Sequence, residues 1–281
     1  MAKRALSEEL LYCTTKIECF DKNKNKSSGT GYFYTVEDYS TGKLRCLYTI
    51  ITNIHVVDGA EELFVYMTPK DNEGNPIDDD VHKIDLLSYG VILIPHPDKS
   101  VDLCMLVITN VLLDKYDKDK LEFYFTSLSK EDIPLKEEID DLKGIENVVM
   151  VGYPIGIWDD KNNKPIVRSG ITATHPKFNF QDKKEFVIDM ACFPGSSGSP
   201  VFLFYEGTYS DKEGTTFAGT RIRLLGTLYG GPQYNANGEV IVVTVPTSTF
   251  SFSQTAIPTN LGFVINTERI LELEEIALSL R

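Results

Sequence analysis

Positive charge is in short supply in this 281-residue chain. Its 28 Lys and Arg residues face 41 Asp and Glu, for a formal net charge of −13. A nucleic-acid binder needs a basic face, so a nucleic-acid partner is not expected. Long apolar runs are also missing. No stretch approaches the roughly 18 residues of a membrane span, so no membrane partner is expected. Behind Lys3 and Arg4 no apolar segment follows, so no signal peptide is expected. The five cysteines, Cys13, Cys19, Cys46, Cys104 and Cys192, are odd in number, and their spacing fits no zinc pattern. Only Cys192 falls in the second half, so no disulfide can form within it. That favours a reducing compartment and a cytoplasmic location. Repeats and low-complexity tracts are absent. The acidic excess gathers at Asp78-Asp79-Asp80 and between Glu131 and Asp141, which read as solvated surface. Steering of a basic partner is the alternative.

What is present is a series of short β-rich runs: 31–36, 46–57, 62–67, 101–108, 148–152, 184–190, 200–205, 223–229, 239–245 and 261–265. Turn signals separate them, among them Asp58-Gly59, Asn72-Glu73-Gly74-Asn75-Pro76 and Asn237-Gly238. Many short strands without alternating helical segments predict an all-β fold of barrels or sandwiches. A short N-terminal helix is expected from a Ser7 cap with Glu8 and Glu9 in its first turn. A C-terminal helix is expected after Thr267, with Ile270, Leu271, Leu273 and Ile276 as its apolar stripe. The charged, mixed stretch at 131–147 reads as a linker.

One segment carries chemistry on its face: Pro194-Gly195-Ser196-Ser197-Gly198-Ser199-Pro200. Gly195 and Gly198 permit a tight turn with backbone angles that a Cβ would penalise. Such a turn can aim the N–H groups of Gly195 and Ser197 at one point, where an oxyanion would sit. Ser197 is then a candidate nucleophile; the alternative is a plain Gly/Ser turn. A serine nucleophile needs a base, and the base an orienting acid. His55 ends an apolar, β-branched run (residues 47–59 are Leu-Tyr-Thr-Ile-Ile-Thr-Asn-Ile-His-Val-Val-Asp-Gly), as a strand leaving its sheet would. It is either that base or a satisfied core histidine. His82 lies in an acidic stretch, and His96 and His175 precede prolines, as loop residues do. Asp102 heads the apolar run Val101 to Ile108. It is either the orienting acid or a turn cap, since Asp is depleted in strands.

The order His55, Asp102, Ser197 is the chymotrypsin order. In α/β-hydrolases the order is Ser, acid, His, and in subtilisins Asp, His, Ser. Three blocks resemble the trypsin-like serine proteases: Thr52-Asn53-Ile54-His55-Val56, Asp102-Leu103-Cys104-Met105-Leu106 and Gly195-Ser196-Ser197-Gly198-Ser199-Pro200. In the last, Ser199 replaces the family's second glycine. Four further blocks resemble the bacterial HtrA (Deg) branch: Gly29-Thr30-Gly31-Tyr32-Phe33, Val151-Gly152-Tyr153-Pro154-Ile155-Gly156, Ser169-Gly170-Ile171-Thr172-Ala173 and Asn260-Leu261-Gly262-Phe263-Val264-Ile265.

The resemblance implies two six-stranded antiparallel β-barrels and a C-terminal helix. The divisions are 1–130 for the barrel carrying His55 and Asp102, 131–147 for the linker, 148–266 for the barrel carrying Ser197, and 267–281 for the helix. No PDZ module is expected after it. The implied reaction is endopeptidase cleavage through an acyl-enzyme. His55 would take the proton of Ser197, Asp102 would orient His55, and Gly195 and Ser197 would form the oxyanion hole. Neither a metal nor an organic cofactor is expected. Ala191 takes the place of the trypsin-type specificity acid. Leu228-Tyr229-Gly230 is expected to pair with the backbone of a protein or peptide substrate. With no histidine after His175, a glutamyl-type pocket is not expected, and a small or medium apolar residue is the expected P1. Asp189 is read as structural. Ser196 stands where zymogens carry the acid that binds a cut N-terminus, so another restraint is expected: a distorted resting oxyanion turn or an activating protein partner, as in stress and defence systems. Residues 231–260 are expected to form an elaborated hairpin or lid. Two other readings remain open: a catalytically silent protease-fold scaffold, and a non-peptidase acyl hydrolase.

Overall fold

Alternation of inward apolar and outward polar residues builds the first half of the molecule, as in Leu63, Val65 and Met67, which are buried between less buried neighbours. A computed structural model describes residues 4–38, 42, 44–240 and 251–279, with the backbone alone for 233–240 and 251–258. Eight strands form the first sheet: β1 (Thr14–Phe20), β2 (Lys26–Asp38), β3 (Arg45–Thr52), β4 (Glu62–Pro69), β5 (His82–Asp85), β6 (Ile92–Pro95), β7 (Cys104–Val107) and β8 (Phe123–Tyr124). Their order is β5-β4-β1-β2-β3-β7-β6, with β8 on β4. The expected first barrel is not closed by hydrogen bonds, because among the described residues β5 and β6 do not pair. Each has four residues, and the link between them is a tight 3-10 turn ending at Gly90 in the left-handed region. Side chains bridge the gap instead: Ile84 and Leu86 share a core with Leu106, Ile108 and Val111.

The second half closes. β9 (Asn147–Gly152), β10 (Ile166–Thr172), β11 (Glu185–Asp189), β12 (Pro200–Tyr205), β15 (Arg221–Gly230) and β18 (Leu261–Asn266) form a six-stranded barrel in the order β10-β11-β18-β15-β12-β9. Two hairpins extend from it, β13 (Thr208–Ser210) with β14 (Thr216–Ala218), and β16 (Gln233–Val240) with β17 (Ser251–Pro258). The second hairpin occupies the segment expected as a lid. Residues 241–250, including most of the predicted strand 239–245, lie outside the described residues.

The helices are short. α1 (Leu6–Glu9) starts two residues earlier than a Ser7 cap implies: its N-cap is Ala5, whose N–H donates to the Glu8 carboxylate at 2.8 Å. α2 (Ile54–Val57) is a single turn, α3 is Thr109–Asp119, and α4 (Lys136–Asp140) lies in the linker. α5 (Glu268–Ser279) follows Thr267 and buries Ile270 and Leu273. It leaves the second barrel and crosses to the first sheet. There the buried Tyr34 hydroxyl donates to Glu274 at 2.7 Å, and Arg269 meets Asp98 at 3.5 Å. His96, expected in a loop, is buried directly after β6, 3.0 Å from Glu272 of α5. One apolar cluster runs through both halves, joining Tyr32, Ile51 and Met105 to Val149, Phe202, Leu224 and Ile270. The halves therefore share a core, and neither is free to turn against the other without exposing it.

Candidate active site

β3 ends at Thr52, three residues before the histidine, because Asn53 turns the chain into α2. His55 thus sits on a helical turn, where a strand running to residue 57 was expected. The Thr52 hydroxyl donates to the Thr30 carbonyl at 2.7 Å, and the Asn53 side-chain amide to the Asp102 carbonyl at 2.7 Å. Asp102 precedes β7 and grips His55 twice. One carboxylate oxygen accepts the His55 backbone N–H at 3.0 Å; the other is hydrogen-bonded to Nδ1 of the ring. Burial acts to raise the Asp102 pKa. Hydrogen bonds from the His55 ring and from the His55 and Ile54 backbone outweigh it and hold the carboxyl below its ordinary range. An ionised Asp102 fixes the proton on Nδ1 and leaves Nε2 as the open ring nitrogen.

Ser197 lies on the turn between β11 and β12. Gly195 has φ +87° and Gly198 φ +86°. A Cβ at Gly198 would stand 2.0 Å from the Thr30 carbonyl oxygen, so this position requires glycine on both counts. Thr30 of β2 ties the turn to the first half. Its N–H donates to the Ser197 carbonyl at 2.8 Å and its hydroxyl to the Gly195 carbonyl at 3.0 Å. The same hydroxyl accepts the Tyr153 N–H at 3.1 Å. The base and the serine turn are thereby set against one another by a strand that carries neither.

The Ser197 hydroxyl donates to the Tyr229 carbonyl at 3.4 Å. Among the described residues it makes no hydrogen bond with His55. The Pro194 carbonyl accepts the Ile155 N–H at 2.5 Å. Carbonyl and N–H point opposite ways across a trans peptide, so the Gly195 N–H is turned away from Ile155. Among the described residues, the Gly195 and Ser197 N–H groups donate to no protein acceptor. These two donors are those expected to form the oxyanion hole.

A cavity of about 170 Å³ opens beside Ser197, with Cys192, Phe193, Leu228, Gly230 and Leu261 in its wall. Ala191 is not part of that wall; its carbonyl accepts a hydrogen bond from Arg168 of β10. Cys192 lines the cavity instead. Burial raises its thiol to about 11, against a smaller opposing effect of Arg168, so it is a neutral lining group. Tyr229 alternates out of the wall: its hydroxyl donates to Glu185 at 2.9 Å and its ring stacks on Phe263. Ser196 is buried, and its hydroxyl has no partner among the described residues. Asp189 ends β11, opposite Leu261, and is exposed. Among the described residues no group of three or more His, Cys, Asp or Glu side chains could hold a metal, and no helix is long and apolar enough to cross a membrane.

Sequence reasoning missed Thr30, Ile155 and Arg168 as site residues. A signal for Thr30 existed in Gly29-Thr30-Gly31. A Cβ at Gly29 would come within 2.4 Å of Val56, and one at Gly31 within 2.4 Å of Ile50, so both glycines mark a strand pressed against its neighbours.

The sequence model of the trypsin-like peptidase domain matches residues 29–209. No curated protein sequence matches the chain. Among solved structures, the HtrA-type protease AlgW with a tripeptide is similar over 97% of this chain and 61% of that one, at 17% identity and TM-score 0.49. This chain thus spans about three fifths of the length of that structure. The MamO protease domain from Magnetospirillum magneticum, in its apo form, is similar over 95% and 97%, at 13% identity and TM-score 0.45. The active form of the Rv3671c protease from M. tuberculosis is similar over 94% and 80%, at 14% identity and TM-score 0.46. The match over 29–209 includes the strand that ties the two halves, the His55 turn and the Ser197 turn, and the chain belongs to the trypsin-like peptidase domain family.

Proposed function

We propose that the chain cleaves peptide bonds through His55, Asp102 and Ser197. The observation that carries this is the double grip of Asp102 on His55, ring and backbone together, beside a glycine turn whose two N–H groups are unengaged. Ser197 Oγ rotates from the Tyr229 carbonyl toward His55 Nε2, gives up its proton there and bonds to the substrate carbonyl carbon. The carbonyl oxygen becomes an oxyanion and accepts from the Gly195 and Ser197 N–H groups. As the C–N bond breaks, His55 returns the proton to the leaving amine. Water then releases the acyl group by the same steps in reverse order. Asp102 stays ionised and stabilises the imidazolium.

Cys192, Leu228 and Leu261 in the cavity wall support a small or medium apolar P1 residue. The Ser197 hydroxyl, turned to Tyr229, supports a resting state that a protein partner converts. The division at 1–130, 131–147, 148–266 and 267–281 is kept as a working one, with the open sheet as counterpart of a first barrel. All five cysteines are free, which supports a reducing, cytoplasmic setting. A fluorophosphonate probe is the test. It is expected to label the wild-type chain and not Ser197→Ala, and a peptide library is expected to be cleaved. Labelling with no cleavage favours an acyl hydrolase that does not cut peptides. No labelling of the wild type, alone or in lysate, sinks the proposal in favour of a silent scaffold.

A further inference from the structure

Ile155 is the one β-branched residue with positive φ among the described residues, at φ 53° and ψ 23°. A β-branched side chain strongly disfavours that conformation. Core packing does not hold it there, since Ile155 is 61% exposed. The strain has a visible local consequence. Gly156 N–H donates to the Tyr153 carbonyl at 3.0 Å, closing a turn with Pro154 and Ile155 at its centre. Proline fixes a negative φ at the first central position, and a positive φ at the second makes this a type II turn, a place that favours glycine or asparagine. Type I and type II turns differ by a flip of the central peptide, here Pro154–Ile155. The type II form presents the Ile155 N–H to the Pro194 carbonyl at 2.5 Å. The type I form, easier for isoleucine, would present the Pro154 carbonyl there instead, oxygen against oxygen.

The two peptides are therefore coupled. While the Tyr153–Gly156 turn is type II, the Pro194 carbonyl is held toward it and the Gly195 N–H faces away. The fit is close: a Cβ at Gly195 would lie 2.6 Å from the Tyr153 carbonyl oxygen and 3.0 Å from the Ile155 nitrogen. The Arg168 guanidinium holds the other end of the segment through the Ala191 carbonyl and lies 4.8 Å from the centre of the Phe193 ring. We infer that Ile155 is a positioning residue for the oxyanion donor: its backbone N–H, delivered by a strained turn, sets the Pro194–Gly195 peptide in the anion-binding orientation. This rests on the serine-nucleophile reading above.

The test replaces the Ile155 amide by an ester, using the α-hydroxy analogue of isoleucine, which removes the N–H and keeps the side chain. The expected result is a fall in kcat of about 10²–10³, the loss that follows removal of an oxyanion donor, with KM within about threefold. Ile155→Gly keeps the N–H and adopts the turn freely, so it is expected to raise kcat severalfold. A coupling across the hydrogen bond between the Ile155 nitrogen and the Pro194 carbonyl carbon reads the contact by NMR without any activity. An ester variant that turns over at the wild-type rate overturns the inference. So does one that changes KM alone, which would make Ile155 a substrate contact, or a missing coupling. A fall in kcat for Ile155→Gly overturns the role of strain. Failure of the wild type to take a fluorophosphonate label removes the serine reading and this role with it, and is read separately from the coupling.

Discussion

The two halves of the molecule hold their candidate site residues in different ways. The second is a closed barrel, and Ser197 rides a glycine turn between two of its strands. The first is an open sheet whose end strands are joined by side chains, and His55 and Asp102 lie just outside its strands. In the open half the site residues are held by contacts among themselves, His55 to Asp102 and Asn53 to Asp102. The closed half fixes its own turn only in part: the Gly198 N–H donates to the Leu228 carbonyl at 2.8 Å and the Ile155 N–H to the Pro194 carbonyl at 2.5 Å. Thr30, from the open half, holds two of its carbonyls. Barrel closure therefore does not supply all the rigidity the turn has; the turn is clamped both from its own barrel and from β2 outside it.

The sharpest way to break the open half's arrangement is Asp102→Asn. It leaves the shape and exchanges an acceptor for a donor facing Nδ1, so the wrong tautomer of His55 is favoured. A fall in kcat of about 10⁴ with little change in KM is expected in steady-state peptide cleavage. A loss under tenfold would mean that His55 is oriented by something else. The link between halves is broken by Thr30→Val, which removes the hydroxyl bonds to Gly195 and Tyr153 but keeps the backbone bond to Ser197. Loss of kcat by roughly 10- to 100-fold and destabilisation of about 1–3 kcal/mol are expected, read by kinetics and urea unfolding. Equal activity would show that the backbone of β2 alone suffices.

The smallest effect concerns the outer face of the open sheet. Glu18 is buried and accepts from Lys16 at 2.8 Å, Lys26 at 2.8 Å and the Tyr66 hydroxyl at 2.6 Å. Burial acts to raise its pKa, but these partners lower it to about 2, from 4.5. A depressed acid stabilises the fold above its unfolded pKa and loses that contribution as the pH falls through its folded one. Between about pH 4.5 and 2, wild type should therefore lose more stability than Glu18→Gln, by comparison of urea midpoints across that range. Parallel curves would remove the cluster from the acid response.

Much of this could be read before folding. The strands at 46–52, 62–67, 200–205, 223–229 and 261–265 announce themselves by apolar, β-branched runs. His55, Asp102 and Ser197 stand out because few residue types do their chemistry and each sits in an unusual setting. β1 was not visible, because Lys16 and Glu18 interrupt its pattern; they are tolerated only because they pair with each other under Tyr66 and Trp158. α3 was hidden by its charges at Asp114, Lys115, Asp117, Lys118 and Asp119, of which Asp114–Lys118 and Lys115–Asp119 form i,i+4 pairs. Ile155 escaped notice for a different reason: it acts through its backbone N–H, which every residue but proline carries.

Residue chemistry and hydrophobic period settle the fold class, the strand-rich character and the identity of the candidate nucleophile, base and acid, because these depend on side-chain type and local order. The tertiary structure alone decides that the first sheet stays open and that Cys192, not Ala191, lines the cavity. It alone turns the Ser197 hydroxyl to Tyr229 and the Pro194 carbonyl to Ile155. Each of these depends on contacts between segments distant in the chain, which local residue chemistry does not specify.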